Sequence, residues 1–179
     1  MKTLAENIYC IRPSNAHRLL LLRPGGSYST LAAIGHRRYR ESWVDPGFEF
    51  YEKGLVPESL ATCSSTFAIQ ENHTKFLDLG TEVELLPILV KAKRWFLANV
   101  LAEVFEFDEE HSVVMRSGPN SDIFYVQALF VKKDKIPDIF VLAGSNKSQI
   151  FVTEKMKAQL CVLPNPGVKF HHVGAAIYV

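Results

Sequence analysis

Apolar and polar positions along this chain follow one pattern twice. Phe67-Ala68-Ile69-Gln70-Glu71 reads like Ile150-Phe151-Val152-Thr153-Glu154. Six residues past the glutamate each copy places a leucine, Leu77 and Leu160, and an apolar extended run follows, Val83 to Val90 and Val168 to Val173. The pattern predicts a strand, a short amphipathic helix and a strand, repeated. Two copies are too few for a solenoid, which needs about three to bury a continuous core.

The first copy predicts a strand over Phe67–Ile69 and a helix over Glu71–Leu79, with Phe76 and Leu77 inward and Gly80 just past its end, where a left-handed backbone favours glycine. Val83 to Val90 reads as a buried strand that Pro87 demotes to an edge or a bulge. In the second copy Thr153 is placed to cap a helix starting at Glu154, and Met156 and Leu160 share one face four residues apart.

Around these units the reading is β-rich. Ile8 to Ile11, Leu19 to Leu22 and the alternating Phe48 to Glu52 are strands. Pro24 to Ser27 and Val44 to Gly47 are turns. Arg94 to Val104 is a strand or a strand running into a loop, and Val113–Met115, Ile123–Val131 and Ile139–Leu142 are shorter strands. No linker or low-complexity tract divides the chain. The expectation is an α+β fold: a single compact domain over 1–179 with a twisted mixed or antiparallel sheet and a few short helices. Its N-terminal β-rich part covers 1–64 and the rest 65–179.

Composition excludes some classes. At 179 residues with 47% hydrophobic content, the core needs no metal or disulfide staple. A net charge of +1 argues against a dedicated nucleic-acid binder. The odd, widely spaced Cys10, Cys63 and Cys161 fit reduced, buried, inert thiols in a cytoplasmic protein. Met1 to Asn7 lacks the apolar region of a signal peptide. The longest apolar runs fall far short of the roughly 18–20 residues of a membrane span. The expectation is a cytoplasmic chain with no membrane and no nucleic-acid partner.

Catalytic signals are sparse. Among six histidines only His171 and His172 are close, and neighbours on a strand point to opposite faces. No metal site, cofactor or catalytic residue is expected. Arg23 to Ser27 lacks the lysine and the context of a phosphate loop.

Two charged segments carry the candidate contacts. Arg37, Arg38, Tyr39 and Trp43 form a basic, aromatic cluster with His36 and Arg40. It reads either as a surface for phosphates, bases or an acidic partner, or as a solvated loop with one aromatic in the core. Glu103, Glu106, Asp108, Glu109 and Glu110 place five acids within eight residues. They steer a basic partner, or they protect a strand edge. Phe105 and Phe107 interleave with them and are expected to face the core, with Glu106 and Asp108 facing water.

One further pattern is similar to a known family. Trp95 to Leu101, then Phe107-Asp108, then Ser112, resembles the strand–Asn–strand–Asp–Ser stretch of bacterial immunity proteins. Ile136 to Gly144 with Ile150 to Glu154, and the closing Gly167-Val168-Lys169-Phe170, resemble its later stretches. These are the immunity proteins numbered eleven in the polymorphic-toxin classification, and the group numbered forty-three looks similar. The resemblance covers about residues 65–173. It implies an immunity protein that binds a cognate secreted toxin stoichiometrically and blocks its active site or substrate groove. It carries over no catalytic residues. Asn99, Asp108 and Ser112 match its polar marks and are expected to form turns or bond to backbone. The alternative is an enzymatic immunity protein, such as a hydrolase reversing ADP-ribosylation, in which Glu71, Glu154 and the acidic strip would have to converge.

Overall fold

The computed structural model describes residues 5–27, 38–39, 42–63, 66–77, 80–118, 121–132 and 136–177. Its strands are β1 (Ala5–Pro13), β2 (Leu20–Leu22), β3 (Phe48–Phe50), β4 (Leu60–Cys63), β5 (Thr66–Gln70), β6 (Val83–Val90) and β7 (Lys93–Val100). They continue as β8 (Glu103–Val104), β9 (Val113–Arg116), β10 (Ile123–Lys132), β11 (Ile139–Leu142), β12 (Phe151–Thr153) and β13 (Val168–Ile177). A 3-10 helix spans Glu71–Leu77, and α1 spans Glu154–Cys161. Strands dominate, so the expected α+β domain leans heavily toward β. They form a seven-stranded sheet in the order β8-β11-β12-β1-β13-β10-β9, a four-stranded sheet β4-β5-β7-β6, and the pair β2-β3.

The sequence repeat reappears as topology. β5 and β6 each run antiparallel to β7, which lies between them. β12 and β13 each run antiparallel to β1, which lies between them. Each unit is therefore a split strand–helix–strand, with its two strands parallel and one strand apart. In the first copy the gap is filled by the next strand, through a tight turn at Lys91-Ala92. In the second it is filled by β1, from the other end of the chain. The repeat's equivalent residues face one another: Phe67 and Ile150, Ile69 and Val152, and Leu77 and Leu160 all enter one core between the two sheets. The period of two in the strands and the placement of each leucine bring these side chains onto the inward faces.

Local signals act as the sequence predicts in the second copy. The Thr153 hydroxyl accepts from the Met156 N–H at 3.3 Å and caps α1. Met156 and Leu160 are its buried residues. In the first copy the expected amphipathic helix is a 3-10 helix ending at Leu77, with Leu77 buried and Phe76 packed against the core. Residues 78–79 of the expected helix lie outside the described residues. Gly80 is left-handed at φ 60°, as a chain leaving a helix requires.

The other face of the seven-stranded sheet curls round a second core. Ile8, Cys10, Val104, Phe140, Phe151, Val126, Leu129 and Val173 meet there. Curling is forced by connectivity. β8 and β9 are consecutive in the chain yet sit at opposite edges. In a flat sheet of seven strands the edges lie about 29 Å apart. The linker 105–112 spans roughly that distance only when fully extended, and part of it is a turn at Asp108–His111. The sheet curls accordingly: Ile123, at the start of β10, donates to the Gly144 carbonyl at 2.9 Å and accepts from the Asn146 N–H at 2.8 Å, in the turn that follows β11. Gly174 lets β13 lie against β10 here, because a Cβ at that position would stand 1.8 Å from the Leu129 carbonyl oxygen.

A third core lies on the outer face of the four-stranded sheet, under Leu20, Phe48 and Phe50 of the β2–β3 pair. β6 is the edge of that sheet, and Pro87 sits where a missing N–H does least harm. Segment 42–47 lies along this edge. Trp43 Nε1 donates to the Pro87 carbonyl at 2.6 Å, and the Leu89 N–H donates to Asp45 Oδ2 at 2.7 Å. Two outward backbone groups of the edge, the Pro87 carbonyl and the Leu89 N–H, are thereby satisfied, and a further strand has less to pair with.

Candidate partner-binding surface

The acidic segment divides into neutralised and free positions. Glu103, on β8, is ion-paired with Lys147. Asp108 accepts from Lys132 Nζ at 2.6 Å and pairs with His111 Nδ1 at 2.9 Å. It also accepts from the backbone N–H groups of Glu110 and His111, which pins the turn. The Lys132 hydrogen bond, reinforced by His111, lowers its carboxyl from 3.8 to about 2. Glu109 lies 3.9 Å from Arg116, largely exposed. Glu106 and Glu110 face water.

The expected burial of this segment is corrected at two positions. Phe105 is 72% exposed, and the Asp108 side chain is only 6% exposed. Phe107 does pack against the second core. The reason is phase. Val104 on β8 takes the inward position, so its neighbour Phe105 points out, and the chain leaves the strand before the alternation can resume. Phe105 thus stands in water on a linker between buried Val104 and partly buried Phe107. The linker runs directly into the edge strand β9, where Val113 and Met115 are about half exposed beside Arg116.

Of the basic cluster, Arg37 lies outside the described residues, as do His36 and Arg40. Arg38 is exposed. Tyr39 and Trp43 are half-buried, edge-on to each other at 5.3 Å, and packed against the third core. The Tyr39 N–H donates to Glu84 Oε2 at 2.8 Å. Their rings cover the protein's own sheet rather than standing free.

The polar marks of the resemblance play different parts. Ser112 Oγ accepts from the Phe130 N–H at 2.9 Å, a backbone bond as expected. Asn99 forms no turn. It is fully buried in β7 and donates to Glu84 Oε2 at 3.0 Å across the strand pair.

Carboxylates elsewhere are separately engaged. Glu71 pairs with Arg94 at 3.1 Å. Glu154 accepts from the Tyr9 hydroxyl, from Lys157 at 3.2 Å and from Asn7 at 3.3 Å, which lowers its pKa, chiefly through Tyr9. The Tyr9–Glu154 group escapes the sequence because β1 and α1 are far apart in the chain. Asp108, Glu110 and His111 bring ligand atoms within 4.8 Å of one another, but the Asp108 oxygens there already serve Lys132, His111 and the turn. Cys10 and Cys63 are buried as expected, and burial pushes the Cys63 thiol up to about 12. Cys161 is exposed, against expectation, because it follows Leu160 on the outer side of α1.

A cavity of about 430 Å³ opens beside the Lys91-Ala92 turn, bordered by Gln70, His73, Lys91, Lys93 and Trp95. The indole N–H of Trp95 is buried without a hydrogen-bond partner. No helix among the described residues is long and apolar enough to cross a membrane. No known protein-family model matches the chain, and no curated protein sequence does.

Proposed function

We propose that this chain is a cytoplasmic immunity protein. It binds a cognate secreted toxin one to one and covers the toxin's active site or substrate groove. One observation carries the reading: Phe105 is held in water between buried Val104 and partly buried Phe107, with Glu106, Glu109 and Glu110 close to it in the sequence and facing solvent. An aromatic on a well-anchored linker loses little freedom on binding and supplies the apolar centre that interface hot spots need. These solvent-facing glutamates, Glu109 weakly paired with Arg116, supply a rim that attracts a basic surface and speeds encounter. Among the described residues of the basic cluster, Tyr39 and Trp43 are committed to the fold, so the acidic side is the favoured contact face. The resemblance of residues 65–173 to immunity proteins supports the same class.

The test is a toxin-neutralisation titration with the toxin domain that co-purifies with this chain. Protection is expected to saturate near one copy per toxin. Phe105→Ala is expected to weaken binding by at least about thirtyfold, the scale of an aromatic hot spot. Reversal of Glu106, Glu109 and Glu110 to Lys slows association. Unchanged binding in both variants refutes the assigned face. Full protection at a small fraction of one copy per toxin refutes blocking and points instead to enzymatic reversal.

A further inference from the structure

A second cavity, of about 230 Å³, lies where the end of β1 meets the β4–β5 pair. Arg12 and Tyr125 line it from the seven-stranded sheet, Thr62 from the four-stranded one, and Phe67 and Ile150 give it apolar walls. It is many times the ~30 Å³ share of one water molecule.

Its polar groups are mostly donors, with the Cys10 sulfur, which lies beside Arg12 and accepts from Gln149 Nε2 at 3.7 Å, as a weak acceptor among them. Arg12 Nη2 donates to the Tyr125 hydroxyl at 2.6 Å, and the guanidinium also lies over the Tyr125 ring. Because the phenol oxygen accepts from Arg12, its own proton is directed elsewhere. Among the described residues no carboxylate stands within ion-pair distance of Arg12, and a guanidinium has five N–H donors to satisfy. Thr62 is 95% buried, and its hydroxyl has no hydrogen-bond partner. Thr66, which lines the same cavity and pairs with Cys63 across the hairpin, is satisfied by the Ala98 carbonyl. A buried hydroxyl left unsatisfied calls for a partner. Gln149, beside them, is already spent on the backbone of Val126.

We propose that this cavity binds a small oxyanion, a carboxylate or a phosphate. The forked guanidinium meets two of its oxygens, the Tyr125 and Thr62 hydroxyls donate to what remains, and Phe67 and Ile150 accept any short apolar body. The walls come from both sheets, so the ligand ties one sheet to the other, and occupancy reads out as stability. This holds whether or not the chain neutralises a toxin, because the cavity and the Phe105 linker share no residue.

The experiment is thermal unfolding of the full chain in sodium phosphate and in sodium benzoate, against sodium chloride at matched ionic strength. A saturable rise in Tm is expected with at least one oxyanion and absent in chloride. A rise with phosphate alone or benzoate alone identifies the source of the oxyanion. Arg12→Gln is expected to raise the apparent Kd at least about tenfold, as loss of a charged hydrogen bond does, and Thr62→Val to raise it by a smaller factor. Circular dichroism checks that both variants fold. No saturable rise with either probe, or a rise that Arg12→Gln leaves unchanged, overturns the proposal. Should Arg12→Gln not fold, unchanged affinity in Thr62→Val overturns it.

Discussion

Replacing Gly174 by alanine adds one methyl group where β13 lies closely against β10 in the curled sheet. A Cβ there would lie 1.8 Å from the Leu129 oxygen and 2.7 Å from the Leu129 carbonyl carbon, against a floor of about 3.0 Å for real contacts. The obstacle is backbone, so no side-chain rotation relieves it. β13 must move away from β10 by about 1.2 Å, the gap between 1.8 and 3.0 Å. That shift carries backbone hydrogen bonds beyond useful length along the four register pairs from Leu129–Gly174 to Lys132–Ile177. It also loosens Leu129, Val131 and Ala176, which are fully buried. Overpacking alone costs about 1–3 kcal/mol, and each lost hydrogen bond adds about 1 kcal/mol. The expected destabilisation is about 3–5 kcal/mol, a large share of the stability of any domain. Urea unfolding measures it: with a slope of about 2 kcal/mol per molar, the midpoint falls by roughly 2 M. Gly80→Ala is the control. Gly80 has open space and a φ of 60°, so it costs only the left-handed penalty, about 1 kcal/mol. If Gly174→Ala is no worse than Gly80→Ala, the close approach of β13 to β10 is wrong.

Three further outcomes are expected. Lys91 and Ala92 form a two-residue hairpin turn with φ of 47° and 61°, so Lys91→Asn with Ala92→Gly removes strain and stabilises the chain by about 1–2 kcal/mol, measured as a higher urea midpoint. Thr153→Ala removes the cap of α1 and a bond to Asp138 at 3.1 Å, costing about 1–2 kcal/mol, and Thr153→Ser recovers most of it in the same assay. Asp108 has its pKa lowered from 3.8 to about 2 by Lys132, with His111. Its contribution is therefore present above pH 3.8 and lost as the pH falls toward 2. A carbon-13 carboxyl titration should place the Asp108 midpoint well below the usual aspartate value, and Asp108→Asn should flatten the fall of stability in that window. An ordinary midpoint refutes the pinned turn.

Much of the fold is written locally. The repeated Phe67–Glu71 and Ile150–Glu154 patterns predict two strand–helix–strand units, and both form. Thr153, Pro87 and Gly80 each act through their own backbone chemistry, so their roles need no distant partner to be read. The candidate surface was legible only in part. Five clustered acids mark the right stretch, but the sequence does not separate Glu103 and Asp108, which Lys147 and Lys132 neutralise, from Glu106 and Glu110, which face water. Tyr39 and Trp43 look like exposed anchors until the edge of β6 is seen to need covering.

The chain by itself determined most of the strands, though not β4 or the break between β7 and β8, as well as where α1 begins and which face of each unit is apolar, because period, capping and turn chemistry act over a few residues. The tertiary structure alone decided that β1 completes the second unit, that the seven-stranded sheet curls until β10 meets the turn after β11, and that Phe105 rather than Val104 meets solvent. Each of these depends on partners far apart in the chain: β1 with β12 and β13, β10 with the end of β11, and β8 with β11. Local pattern cannot choose among such pairings. They are selected when one arrangement buries three cores together.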